Sequence, residues 1–273
     1  MYMSLVSPAG PQFPGRARAI PPQVPDDLWR PVSACGPRCR NAPQARAGRA
    51  RQAVRVAAAA LVLLIGIALP WRADLMARAL LRAMGVRLRF EGPPIAPGAL
   101  LVGNHVSWLD IVVVVALSGR ARGLRMVAKS EVGAWPLIGR IARRQRTIFV
   151  DRARPRELPL TVAQAAAALR AGDTVQVFPE GTTTCGPHQV RWRSAFFQAA
   201  LDAGAAVQPF TLTYNHPAAS FIGDDTLIES LRRVLAARSL RVTVTTSPPE
   251  RAVFSRRHLA YVLGEGKIHV APR

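Results

Sequence analysis

From residue 86 onward the chain alternates two hydrophobic patterns. Short apolar stretches bounded by Gly, Pro or Asp predict strands at 86–90, 99–104, 125–129, 146–150, 174–178, 206–213 and 240–246. Between them, apolar residues recurring every three or four positions predict helices at 107–118, 131–142, 157–171, 193–203, 226–237 and 255–264. Gly172 and Gly204 fall just past two of these helices, where a left-handed terminating residue belongs. Strand and helix taken in turn predict an α/β fold, a central mostly parallel or mixed sheet covered by helices. Ligands in such folds gather beyond the carboxyl ends of the strands.

The N-terminal part reads differently. Residues 56–71 carry no charge and as a helix would span about 24 Å at about 1.5 Å per residue, against about 30 Å for a bilayer core. Arg49, Arg51 and Arg55 precede the run and Trp71-Arg72 closes it, as at a membrane interface; a buried core helix has the same composition. Residues 73–84 set Asp74, Arg78 and Arg82 on one stripe, away from Leu75, Met76, Leu80 and Ala83, which makes an amphipathic helix suited to an interface. Residues 53–84 therefore read as a membrane-docking helix pair. Residues 1–50, rich in Pro, Arg, Gly and Ala, read as a disordered tail, and 85–273 as the main domain.

Charge narrows the partners. The formal net charge is +21, which favours anionic ligands such as lipid head groups, coenzyme A phosphates or nucleic acid. Almost all of it is arginine, with Lys129 and Lys267 the only lysines. No zinc-finger spacing or aromatic RNA-binding signature accompanies it, and no P-loop or dinucleotide fingerprint is present. Three cysteines make no disulfide framework. Cys35 and Cys39 lie in the irregular N-terminal segment with no second cysteine pair to complete a metal site, and Cys185 reads as incidental.

Two segments carry candidate chemistry. Asn104-His105-Val106-Ser107-Trp108-Leu109-Asp110 places an imidazole and a carboxylate five positions apart at a strand end. A neutral imidazole takes a proton from an alcohol near neutral pH, and a carboxylate on its other nitrogen fixes the tautomer and stabilises the imidazolium. No serine completes the pair, so the substrate must bring its own hydroxyl. Five positions on a continuous helix rotate by about 140°, so the two side chains meet only if His105 precedes the helix. With Ser107 as N-cap and Asp110 as third helical residue, a capping box with Asp in place of Glu, His105 lies on the preceding loop. The second segment, Phe178-Pro179-Glu180-Gly181-Thr182-Thr183-Thr184, is a rigid turn at a strand end with exposed amides and hydroxyls, suited to a polar or anionic head group.

Together these segments resemble the glycerolipid acyltransferase family, which includes the lysophosphatidic acid acyltransferases. Four blocks match in order: Asn104-His105 to Asp110, Thr147-Ile148-Phe149-Val150-Asp151-Arg152, Phe178 to Thr182, and Val207-Gln208-Pro209-Phe210. Val127-Ala128-Lys129-Ser130-Glu131 matches the segment between the first two, and the likeness covers roughly residues 53–247. It implies His105 as general base, Asp110 as its partner, Arg152 as anion ligand, Glu180, Gly181 and Thr182 around the acceptor head group, and Lys129 in electrostatic support. It implies no cofactor or metal, an acyl-CoA or acyl carrier protein donor, a membrane lipid acceptor and no nucleic acid. It further implies a catalytic domain on the cytosolic side of the inner membrane. The expected reaction acylates the free hydroxyl of a lysophospholipid, 1-acylglycerol-3-phosphate first. One departure matters: members that form phosphatidic acid read Glu-Gly-Thr-Arg in the third block, and here Thr183 replaces the arginine, which alone grips a phosphate bidentately. Lyso-ornithine lipid, whose head group carries a carboxylate, is the alternative acceptor. A basic nucleic-acid-binding protein or a non-catalytic membrane-associated protein is the alternative from another class.

Overall fold

The computed structural model describes residues 31–251 except 34, 41–44, 121–122, 136–137 and 189. The helix expected at 255–264 and the first 30 residues of the expected tail lie outside the described residues.

Two helices come first, α1 (Arg49–Ala68) and α2 (Ala73–Ala83), and then the α/β region: β1 (Val86–Glu91), β2 (Leu100–Gly103), α3 (Leu109–Leu117), β3 (Arg125–Lys129), α4 (Ser130–Ala134), α5 (Ile138–Arg144), β4 (Ile148–Val150), α6 (Leu158–Arg170), β5 (Val175–Val177), α7 (Ala195–Ala203), β6 (Ala206–Tyr214), α8 (Leu227–Ala236), β7 (Leu240–Thr246) and β8 (Glu250–Arg251). The strands form one mixed sheet in the order β1-β7-β6-β2-β5-β3-β4, with β8 against the start of β6. Neighbours from β6 through β2, β5 and β3 to β4 are parallel. β7 runs antiparallel to β6, and β1 follows β7.

β2 shows why its run is continuously apolar. Leu100 and Val102 point into one core with Val162, Ala165 and Phe197, whereas Leu101 points into the other with Leu109, Val113 and Phe210. Alternate side chains of a central strand face opposite sides, so a strand covered on both faces needs apolar residues at every position.

One expectation is corrected and another is left unconfirmed. The helix expected at 131–142 is two helices, α4 and α5, because Trp135 precedes a proline; it adopts φ −71°, ψ 130°, the extended conformation that the ring of Pro136 imposes on its predecessor. The docking pair is not confirmed: among the described residues one helix is long and apolar enough for a membrane. α2 turns Ala77 and Leu81 into the core but leaves Leu75 39 % exposed, and Arg78 of its charged stripe donates to the Ala116 carbonyl at 2.8 Å. α1 leaves its apolar side open, with Leu61 58 % and Leu64 65 % exposed.

The boundary expected at residue 50 does not separate tail from domain either. The Ala47 amide donates to Ala236 and the Arg238 amide to Ala45, and Arg40 is ion-paired with Asp225. Arg55, in the second turn of α1, donates to the carbonyls of Leu235 at 2.8 Å and Ala237 at 2.6 Å. That is a buried cation on the last carbonyls of α8, where the helix dipole favours it.

Candidate active site

Five parallel strands end along one edge, and each delivers part of the site. Tyr214 closes β6, His105 and Asp110 follow β2, Phe178 and Glu180 follow β5, Lys129 closes β3, and Arg152 follows β4. The sequence put these residues directly after apolar runs, and the parallel order brings the run ends side by side.

The histidine loop is held on every side. The Asn104 amide donates to the Leu212 carbonyl at 3.0 Å and accepts from the Leu212 amide at 2.7 Å, so its side chain pairs with β6 as a backbone unit would. The His105 carbonyl accepts from the Thr184 amide at 2.8 Å, and the His105 amide donates to Glu180 Oε2 at 3.2 Å. At Gly103 a β-carbon would lie 2.5 Å from the ring of Phe210, so β2 ends on glycine because that ring occupies the space.

His105 Nδ1 lies 2.9 Å from Asp110 Oδ2. A carboxylate only accepts, so Nδ1 carries the proton and Nε2 is the basic nitrogen. Asp110 is fully buried. Its Oδ2 also accepts from the amides of Val106 at 2.6 Å and Ser107 at 2.9 Å, and its Oδ1 accepts from the Tyr214 hydroxyl at 2.5 Å. α3 begins one residue later than a Ser107 cap requires, with Trp108 at the N-cap position. The reciprocal bonds of a capping box survive in part: Asp110 takes the Ser107 amide, and the Ser107 hydroxyl takes the Leu109 amide at 3.2 Å.

Glu180 sits beneath the pair rather than in the open crevice, 2 % exposed. Burial pushes its carboxyl up to about 8; hydrogen bonds from the His105 amide and Trp192 oppose the rise, and the charge of nearby Asp110 adds to it. At neutral pH the buried Glu180 carboxyl is thus largely protonated and adds no second negative charge beside the His–Asp pair. Arg152 reaches across to donate to the Gly181 carbonyl. Burial lowers its pKa, with Glu131 opposing and Arg193 contributing; a guanidinium remains charged throughout, so its charge is under-compensated. Thr182 is half-buried on the same loop. Lys129 is exposed at the end of β3, opposite Val150. Thr183, at the position of the related arginine, donates its hydroxyl to the Phe221 carbonyl.

The family model described as Acyltransferase matches residues 87–213. The chain is 37 % identical over 158 residues to the lyso-ornithine lipid O-acyltransferase of Pseudomonas aeruginosa, 56 % of this chain and 59 % of that protein. To the protein of the same name from Brucella abortus it is 35 % identical over 195 residues, covering 63 % of this chain and 70 % of that one. The chain belongs to the acyltransferase family. It is also 33 % identical over 141 residues to the 1-acyl-sn-glycerol-3-phosphate acyltransferase of Neisseria meningitidis, 51 % of this chain and 54 % of that protein. The chain thus spans little more than half the length of some of these relatives. The fold matches the crystal structure of the 1-acyl-sn-glycerophosphate acyltransferase PlsC of Thermotoga maritima, with TM-score 0.57 and 18 % identity, covering 82 % of this chain and 97 % of that one. Family membership favours the acyltransferase reading over the alternatives from another class.

Sequence reasoning passed over three features of this acyltransferase. Tyr214 holds Asp110 from a strand 104 positions away. Phe178 stacks on the His105 ring. The cysteines, read as unrelated and as forming no metal set, come together: Cys35, Cys39 and Cys185 meet His188, with all four ligand atoms within 4.8 Å of one another. The pattern was visible as two short-spaced pairs, Cys35/Cys39 and Cys185/His188. A search for a second cysteine pair misses it because the fourth ligand is histidine.

Proposed function

We propose that this acyltransferase moves a fatty acyl group from acyl-CoA or acyl carrier protein to the free hydroxyl of lyso-ornithine lipid. The observation that carries the chemistry is the His105–Asp110 contact, which leaves His105 Nε2 as the base. Nε2 takes the proton of the acceptor hydroxyl as the oxygen attacks the thioester carbonyl. The tetrahedral intermediate expels the thiolate, which takes the proton back from His105, and the products are an ester and a free thiol. Asp110 holds the ring and stabilises the imidazolium while that proton is in transit. Arg152, half-buried and under-compensated, binds the acceptor's anion.

Two observations favour the ornithine lipid. Position 183 offers a hydroxyl already bonded to Phe221 instead of a second guanidinium, which suits a single carboxylate better than a phosphate. Proteins named for that acceptor are also the relatives with the larger aligned spans. The reading with 1-acylglycerol-3-phosphate is supported by Arg152 and by the Neisseria relative. Acyl transfer by the purified protein, assayed with both acceptors and both donors, tests the choice; selectivity for lysophosphatidic acid would reverse it.

We also infer attachment to the cytosolic face of the inner membrane through α1. Its most apolar stretch, Arg49–Ile67, has mean hydropathy 1.7 with 6 % of the window buried, and Trp71 beyond it is 71 % exposed. Both ends of the helix are tied to the domain, the start by Arg55 on α8 and the end through α2, whose Asp74 abuts Gly119. Such a helix lies in one leaflet and does not cross. An open groove of about 580 Å³ beside it, lined by Arg51, Arg78, Arg82, Arg87 and Arg238, suits an anionic lipid surface.

A further inference from the structure

The segment before α1 and the loop after β5 bring three thiols and an imidazole to one point, apart from the acyl-transfer machinery. Cys35 and Cys39 come from residues 31–40, and Cys185 and His188 from the loop leading to α7. His188 Nδ1 lies 3.8 Å from Cys35 Sγ, 3.6 Å from Cys39 Sγ and 2.9 Å from Cys185 Sγ. Zinc bonds of about 2.3 Å to sulfur and about 2.0–2.1 Å to nitrogen, arranged tetrahedrally, require about 3.6 Å between sulfur and nitrogen. Two of the three separations already match, and the third opens by less than an ångström when a cation enters between the atoms. The three residues between Cys35 and Cys39 fall within the spacing of structural zinc cysteine pairs, and Cys185 and His188 form a second short-spaced pair with two residues between them. Cys35 is buried and the other three ligands are half-buried. Cys35 Sγ also accepts the Cys185 amide at 3.3 Å, the kind of surrounding bond that steadies a metal-bound thiolate.

We propose that Cys35, Cys39, Cys185 and His188 bind one zinc ion that fastens residues 31–40 to the catalytic loop. Four protein ligands close the coordination sphere, so the role is structural. A set of thiolates and imidazole selects zinc over magnesium or calcium. What the ion secures is specific. Cys185 follows Thr184, whose amide holds the His105 carbonyl, and Pro31 on the strap packs against Gly181, where an added β-carbon would lie 2.8 Å from its ring. The ion therefore clamps the loop that carries Glu180 and the acceptor contacts, one peptide away from the bond that positions the base.

Metal analysis of the full-length protein, purified in detergent without chelator, tests this. About one equivalent of zinc per chain is expected, falling below about a tenth in Cys39→Ser and His188→Ala. Cobalt exchanged into the unmutated protein should give the visible absorption of a tetrahedral thiolate site, a readout that does not depend on how the variants fold. A chelator should lower the melting temperature of the unmutated protein and leave that of Cys39→Ser unchanged. Iron in place of zinc, a disulfide among the three cysteines of the freshly isolated protein, or failure to take up either zinc or cobalt would each overturn the proposal. None of these outcomes depends on acyl transfer, so the site stands or falls apart from the acceptor assignment.

Discussion

The ring of His105 lies flat on the ring of Phe178, with centroids 4.1 Å apart and planes 4° from parallel. With Asp110 holding one nitrogen and Phe178 supporting one face, the imidazole has a single orientation. His105→Ala should lower turnover at least about 100-fold, the scale of a lost general base. Phe178→Leu keeps the volume apolar but frees the ring plane and should cost about tenfold, mostly in kcat, because misaligned reacting atoms lose rate more than binding. Wild-type turnover by His105→Ala in a labelled-donor assay would exclude the base.

Tyr214 offers a test of the support beneath the pair. Burial, and then the charge and hydrogen bond of Asp110, push its hydroxyl well above the usual range, so it donates at every working pH. Tyr214→Phe leaves one side of a buried carboxylate unmatched and should destabilise the protein by about 1–3 kcal/mol. An unchanged urea midpoint would show that this bond contributes nothing.

Glu180 sets a pH dependence of stability. It titrates near 8 in the folded protein and near 4.5 when exposed, so between those values the folded state holds a proton that the unfolded chain has released. Its contribution is fully present below about 4.5 and is lost as pH rises toward 8. Glu180→Gln removes that slope: the variant should gain melting temperature relative to the parent at pH 8 and flatten the profile from pH 5 to 8. A parent profile already flat there would contradict the assignment.

Arg152→Ala should raise the acceptor's KM about tenfold or more and leave the donor's nearly unchanged, because it removes a charge-assisted bond to the head group. Thr183→Arg separates the acceptors. A phosphate should be held as well or better, whereas a zwitterionic ornithine head group meets an extra cation that repels its ammonium, and turnover should fall.

The one-leaflet reading of α1 makes its own forecast. Leu61→Glu with Leu64→Glu places two charges on the exposed face, each costing on the order of 2–3 kcal/mol in the bilayer interior. Vesicle flotation should lose the protein while the fold survives, since neither side chain packs in the core. Reporters fused at both chain ends should stay on one side of the membrane; opposite sides would mean that the helix crosses.

What could be read from the sequence follows the range of the interactions. β2 was legible because a strand covered on both faces is apolar at consecutive positions, and α8 because Thr226 and Glu229 form a capping box within one turn. The His105–Asp110 contact was legible because a loop-to-helix step folds five residues back on themselves. The break at Trp135 carried a local signal, the following proline, which the apolar period around it obscured. Tyr214 and the Cys35–Cys39–Cys185–His188 cluster carried no local signal for their meeting. Their proximity depends on β6 lying beside β2 and on the strap crossing the loop after β5, which are properties of strand order.

The pairing of β1 with β7 has a consequence in time. β1 is an edge strand whose partner, residues 240–246, is made on the order of 150 residues later, roughly 8 to 30 seconds at about 5–20 residues per second. α1, with its apolar side bare, leaves the ribosome before any strand can pair. For that interval the nascent chain has one apolar helix exposed and a sheet that cannot yet close, so the membrane reading of α1 predicts that lipid meets the N-terminal region before β1 finds its partner.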